Sequence, residues 1–390
     1  MINDKKNIIV IIDPRGVIDL EDKQLIARHK VYADQLKVQS SLSDLIIITS
    51  NRNSVLNYKK VLEISDNFMI YAINSSSFNL IQFIKYALSV LKNYNSHRMV
   101  LVAGNPWESF AISEFVRKFL RNSPKIQIQI HGDIFNPGWS RLSVRNRIKR
   151  LTALLTLPLA DNIRVNTQIQ AQEIEGKFPK LIGRVMVAPV PFLISSQSIL
   201  SDNRTIRPRV LGYIGRLHPE RGVNDFLTLV KGLEIVENDV KLMIVGSGEL
   251  EEFLNFELKK LYPECRFRFV GQLNSNEMEE IWNEIGVAVF TPKTESYGRA
   301  MREAIVFGVP VMTTKTTGAI ELSKIVSQRS IRLIQPKERN SILDFESLMG
   351  QNIETWEKYA VYKANELGSA RLASSWLELL TDNSIQKEGK

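Results

Sequence analysis

The chain has 390 residues, 44% of them hydrophobic and 24% charged, with a formal net charge of +9 and a single cysteine. That length accommodates two domains, each with its own core, and the composition excludes a disordered or fibrous chain. Cys265 alone excludes an internal disulfide and a cysteine-based zinc site, and reads as a plain structural thiol in a reducing compartment; the positive charge implies acidic partners, with nucleic acid, anionic lipid and phosphorylated small molecules all open.

Met1 to Lys6 leads into the apolar run Ile8 to Ile12, which Asp13 and Pro14 end well short of the ~20 apolar residues of a membrane span. A cytoplasmic protein is expected. Asn7 to Ile12, Leu45 to Thr49, Phe68 to Ile73, Met99 to Ala103, Ile126 to Ile130, Ile163 to Val165 and Val185 to Val190 alternate with helical patterns. Short, mostly β-branched runs in that rhythm predict parallel strands covered on both faces, so residues 1–194 read as one α/β domain. Inside it, Gly138 to Leu155 predicts a helix with Val144, Ile148, Leu151 and Leu155 on one stripe and Arg141, Arg145, Arg147, Lys149 and Arg150 beside it. Such a helix is either an ordinary basic-sided one or, through Arg141 to Leu155, a peripheral contact with an anionic membrane.

The polar stretch 195–209, from Ser195 to Arg209, has no apolar periodicity to bury and reads as a linker. Val210 to Ile214, Lys241 to Val245, Arg266 to Val270, Val287 to Phe290, Val309 to Met312 and Ile331 to Ile334 then predict a second parallel sheet over residues 210–353. Two doubly wound, Rossmann-like α/β domains in tandem would face a central cleft, because open parallel sheets bind ligands beyond their strand C-termini. Glu354 to Thr381 predicts the helix of a structural tail, residues 354–390, that packs back across the domains.

The densest chemistry runs from Glu295 through Ser296, Tyr297, Gly298 and Arg299 to Glu303, after the strand Val287 to Phe290. A helix opening there turns free amides and the positive end of its dipole toward an anion. Were residues 295–303 one helix, the two carboxylates would be ~12 Å apart, too far for the ~5 to 10 Å of a glycosidase pair. A bent arrangement around Gly298 suits two acceptors for separate hydroxyls of an extended ligand; a solvated loop acid with a helix-surface glutamate is the plainer reading. Gly215-Arg216-Leu217 closes one strand and Glu220-Arg221-Gly222 opens the next helix, placing two guanidiniums, which fork onto phosphate oxygens, at one strand end. Gly246-Ser247-Gly248 follows a third strand as a tight turn.

From Val210 to Glu321 these motifs stand in the order of glycosyltransferase family 4, which the segment resembles: the Gly-Arg-Leu turn, Val245 to Gly248, Phe269 to Gly271, the two glutamates, and the Glu-Ala-x-x-x-Gly-x-Pro-Val run from Glu303 to Val311. The resemblance implies a GT-B fold with an acceptor-side first domain and a nucleotide-sugar-binding second one. It implies a retaining, hexosyl-type transferase with Arg216 and Arg221 on the donor diphosphate, Glu303 on the ribose, Glu295 on the donor sugar, the Ser296-Tyr297-Gly298 backbone near sugar and phosphate, and Gln272 and Leu273 near the base. Gly215, Gly246 and Gly248 would line the donor site. His131, in Gln129-Ile130-His131-Gly132-Asp133, resembles the family's histidine facing the donor sugar, against a structural role. Where many members carry paired glycines after the first strand, this chain has Asp13-Pro14-Arg15-Gly16, so only Gly16 could admit a close backbone approach.

No Asp-x-Asp occurs and the histidines at 29, 97, 131 and 218 form no ligand set, so no metal and no cofactor is expected, the nucleotide sugar being substrate. The expected acceptor is a sugar or lipid-linked precursor of polysaccharide biosynthesis. A nucleotide-sugar epimerase or hydrolase, and a non-catalytic binder of nucleotide sugar or nucleic acid, are the alternatives. Basic residues spread over both halves without interleaved aromatics argue against nucleic acid.

Overall fold

The computed structural model describes residues 5–51, 59–74, 80–194, 207–233, 239–338 and 340–381; most of the linker reading, residues 195–206, and the chain ends at 1–4 and 382–390 lie outside them. The chain divides into two compact units, one of Met1–Ile134, Val144–Pro191 and Glu366–Lys390, the other of Phe135–Ser143 and Phe192–Asn365.

The first unit is built on β1 (Asn7–Asp13), β2 (Ser43–Asn51), β3 (Lys59–Ser65), β4 (Phe68–Asn74), β5 (Arg98–Ala103), β6 (Lys125–Gln129), β7 (Asn162–Val165) and β8 (Val185–Val187), in the order β3-β4-β2-β1-β5-β6-β7-β8. All neighbours are parallel except β3, which runs antiparallel to β4 at the edge. Strand alternation sends Ile9, Ile11, Leu45, Ile47, Val100 and Val102 to one face, where α1 (Lys23–Gln39) covers them with Tyr32, Ala33 and Leu36. Helix α13 (Thr355–Thr381) adds Leu372, Ala373 and Trp376 to the same cluster. Trp376 is fully buried, donates from Nε1 to Gln127 Oε1 at 2.7 Å and meets the Tyr32 ring edge-on. The sequence reading had no strand at β3, whose exposed Lys59 and Lys60 guard the sheet edge.

The basic helix expected over Arg141 to Leu155 is two helices. Pro137 at the first turn and Asn136, whose side chain accepts from Gly138 N–H, start the short α4 (Pro137–Arg141), and α5 (Val144–Thr156) begins after Ser143, a residue type that opens helices. Arg141 therefore lies on α4, in the second unit, and off the α5 stripe.

The second unit carries β9 (Val210–Ile214), β10 (Lys241–Val245), β11 (Phe267–Gly271), β12 (Val287–Phe290), β13 (Val311–Thr314) and β14 (Ile331–Ile334), ordered β11-β10-β9-β12-β13-β14 and parallel throughout. This is the doubly wound order in which the winding reverses between the first and fourth strands, opening a crevice at their C-terminal ends. Leu211, Tyr213, Ile244 and Val289 pack on α7 (Val223–Gly232) and α8 (Glu251–Leu261), while Val245, Ala288 and Phe290 pack on α9 (Ser275–Trp282) and α10 (Arg299–Val306). Arg207, in the stretch read as linker, is buried and donates to Phe307 O at 2.8 Å.

Candidate active site

The winding of the second sheet reverses between β9 and β12, and the loops leaving these two strands meet. Gly215 N–H donates to Val245 O at 3.0 Å and Leu217 N–H to Ser247 O at 2.9 Å, which knits the Gly-Arg-Leu turn to the Gly246–Gly248 turn. A Cβ on Gly246 would stand 2.1 Å from Gly215 O and one on Gly248 2.5 Å from Leu217 O, so close packing of backbone on backbone is what these two glycines serve. Arg216 is exposed at the strand end. Buried Tyr213 donates to the carbonyls of Arg216 and Arg221, 3.3 Å each, and burial pushes its phenol well above the ordinary range, so it remains a donor. Gly222, at φ 69°, joins a single helical turn to α7; a Cβ there would fall 1.7 Å from Thr291 O.

Arg221 Nη1 donates to Glu295 Oε2 at 2.6 Å. The other carboxylate oxygen accepts from Tyr297 N–H at 3.3 Å and Gly298 N–H at 3.2 Å, and Gly318 N–H donates to Glu295 O at 2.8 Å. The bend at Gly298 foreseen in the sequence is present: Gly298 caps α10, so Glu295 stands in the loop and Glu303 on the helix. Glu303 lies 3.8 Å from Arg299 across one turn. Ser296 and Tyr297 are both buried, and the Tyr297 carbonyl accepts from Arg302. Gln272 is exposed and accepts from Ser247 Oγ at 3.5 Å, while Leu273 is half-buried against the core.

Sequence reasoning missed Arg302. It is fully buried in α10, stacks 3.8 Å over the Tyr297 ring, and donates to Tyr297 O and Gly318 O. Burial lowers its pKa, opposed by the nearby Glu321 and Glu295 charges and the bond to Tyr297. The short α4 was missed as well: Gly138 lies against the Thr294 side chain, beside the Glu295 loop. Cys265 is exposed in the turn before β11. Among the described residues no cluster of three or more histidine, cysteine or acidic side chains could hold a metal.

In the first unit, His131 follows β6. Arg164, wholly buried on β7, donates from Nη1 to His131 Nδ1 at 3.3 Å and from Nε to Ala188 O. A guanidinium only donates, so Nδ1 accepts and the imidazole proton sits on Nε2. Desolvation by the neighbouring protein and then the Arg164 charge hold His131 below the ordinary histidine range although the residue is exposed, and the imidazole is neutral at pH 7. Asn166 donates to His131 O and Gln170 to Gly132 O, fixing the loop. Gly16 is engaged inside its own unit: at φ 62° it lies on Ser50, where a Cβ would stand 1.9 Å from the carbonyl oxygen, and Asp13 accepts from Val17 N–H, Ile18 N–H and Thr49 Oγ1.

Residues 200–331 match the family model of glycosyl transferases group 1. The chain is 30% identical over 123 residues to the capsular polysaccharide biosynthesis glycosyltransferase CapM of Staphylococcus aureus, a match covering 32% of this chain and 31% of that protein, so less than a third of that relative's length is spanned. In structure it resembles sucrose-phosphate synthase from Thermosynechococcus elongatus, with a TM-score of 0.69 at 14% identity over 96% of this chain and 99% of that one. HepE of Anabaena in complex with UDP-glucose has a TM-score of 0.58 at 15% identity over 96% and 97%. The chain has the GT-B fold of two Rossmann-like units, and the strand-end site of its second unit lies wholly within the segment that matches glycosyl transferases group 1.

Proposed function

We propose that the chain is a retaining glycosyltransferase of family 4 that moves a hexosyl group from a nucleotide-diphosphate sugar onto a sugar or lipid-linked acceptor, without a metal, on the cytoplasmic side of a membrane. The observation that carries this reading is the meeting of Arg221, Glu295 and the Tyr297 and Gly298 amides beyond β9 and β12, with the Arg216 carbonyl tied to that of Arg221 through the Tyr213 hydroxyl. In the reaction the bond from the anomeric carbon to phosphate breaks, the acceptor oxygen bonds that carbon on the same face, and the acceptor proton passes to the departing phosphate oxygen. The charge that grows on the diphosphate meets two guanidiniums and fixed amide dipoles, groups worth several kcal/mol at a transition state. Glu295 holds donor-sugar hydroxyls, Glu303 the ribose, Gln272 and Leu273 border the base, and His131 presents an Nε2 proton at the end of β6. CapM by name serves capsular polysaccharide biosynthesis and HepE binds UDP-glucose, which supports a uridine donor and a polysaccharide-precursor acceptor here.

Thermal-shift screening of nucleotide sugars tests the reading, since a ligand that binds only the folded state raises its stability. A rise with at least one nucleotide-diphosphate sugar, followed by acceptor-dependent release of nucleotide in the presence of EDTA, is expected. Donor turnover with no acceptor would instead indicate a hydrolase or epimerase, and loss of activity to EDTA restored by manganese would overturn the metal-free step.

A further inference from the structure

On α5 the apolar stripe faces outward. Val144, Ile148, Leu151 and Leu155 are 68%, 59%, 62% and 75% exposed, whereas Ala153 on the opposite side is buried. At about 100° per residue the four lie within an arc of about 60°. Arg145 and Arg147, both exposed, stand roughly 70 to 90° to either side of it. Lys149 instead turns back over the Trp107 ring, 4.7 Å from its centre, and Leu159, 62% exposed, extends the apolar strip past the helix end. From Ile134 to Ala160 the sequence contains no aspartate or glutamate.

We propose that this face of α5 docks on an anionic lipid bilayer, the helix lying in the plane of the interface with its aliphatic side chains among the upper acyl carbons. Arg145 and Arg147 then sit at headgroup depth on both margins, where their stems cover apolar surface and their charges meet lipid phosphates. Charge chooses this occupant over a second copy of the chain. A twofold contact through the same face would bring arginine to arginine with no carboxylate on either helix to separate them. The inference rests on the first unit alone and does not depend on the transferase reading.

Sedimentation of the full chain with phosphatidylcholine vesicles, with and without phosphatidylglycerol, tests it. Binding is expected only when phosphatidylglycerol is present and is expected to fall as salt is raised. Arg145→Gln and Arg147→Gln should each weaken it about fivefold. Ile148→Ser with Leu151→Ser should abolish it while the melting temperature holds, because both side chains are already in water. Equal sedimentation with the two vesicle types overturns the proposal. So does binding that survives the serine pair, or a wild-type dimer on gel filtration that the serine pair dissolves.

Discussion

Arg221 and Glu295 are 74 positions apart in sequence, yet their 2.6 Å ion pair makes them one functional group. Arg221 holds the carboxylate against the Tyr297 and Gly298 amides, so replacing either residue disturbs the other's geometry. A double-mutant cycle of Arg221→Ala and Glu295→Gln, read in donor binding, is expected to be non-additive by ~0.5 to 3 kcal/mol; additive losses would mean the pair does not act together. If Glu303 holds the ribose as proposed, a contact equal in ground and transition states, Glu303→Ala should mainly raise donor KM, while Glu295→Gln, at the proposed sugar position, should lower kcat. Steady-state kinetics with a radiolabelled donor checks both, and changes confined to KM in each would leave Glu295 as a binding group only. At His131 the structure fixes a protonation state. With the His131 pKa held below its ordinary value, and that of His29 lowered to about 4 chiefly by burial, both are neutral in the folded chain near pH 7. The unfolded chain takes up protons below about pH 6.5, so the stability that neutral His29 contributes is fully present above that pH and is lost as pH falls toward 4. Histidine NMR should show no titration of His131 between pH 5 and 8 in the wild type. In Arg164→Gln it should titrate at a higher pH, provided the melting curve shows a folded protein.

At the scale of elements, the strands of both sheets were legible because β-branched runs such as Ile8 to Ile12 and Val287 to Phe290 are buried on both faces and leave little alternative to a parallel strand. The position of the strand-end site was legible too, since turns rich in glycine and arginine follow β9 and β10 directly. What escaped had little local signature. The charged edge strand β3 shares its composition with a surface loop, and the break at Ser143 lies inside a pattern whose apolar period continues on both sides. Arg302 falls at an ordinary helical position, and only the fold reveals that it faces the interior beneath Tyr297. Its guanidinium ties the Glu295–Gly298 loop to α11 (Thr317–Leu322) through Tyr297 O and Gly318 O. Arg302→Leu fills the space but strands those carbonyls, at a cost of ~1 to 3 kcal/mol. Urea denaturation should show that loss together with a raised donor KM; an unchanged midpoint would indicate that the carbonyls find other donors.

Across the whole molecule, the first unit is not contiguous in sequence. Its α/β core spans the first 191 residues, but Glu366 onward returns to it. The contribution is substantial: Trp376 and Leu372 are fully buried with Tyr32, Ala33 and Leu36 of α1, and Trp376 bonds to Gln127, itself buried on β6. Residues 1–194 alone therefore lack part of one face of their own core and leave the Gln127 amide oxygen without its indole donor. Truncating a buried tryptophan costs ~3 to 5 kcal/mol, a large part of the 5 to 15 kcal/mol that holds a typical domain folded. Trp376→Ala is accordingly expected to lower the unfolding midpoint of the first unit while the second keeps binding the nucleotide sugar proposed for it, giving two separated calorimetric transitions. Trp376→Phe keeps most of the buried area but not the indole N–H, and should recover the larger share of the loss. A single cooperative transition at the wild-type temperature in Trp376→Ala would show that the returning helix is dispensable to the first core, and a fragment of residues 1–194 that melts cooperatively by itself would show the same.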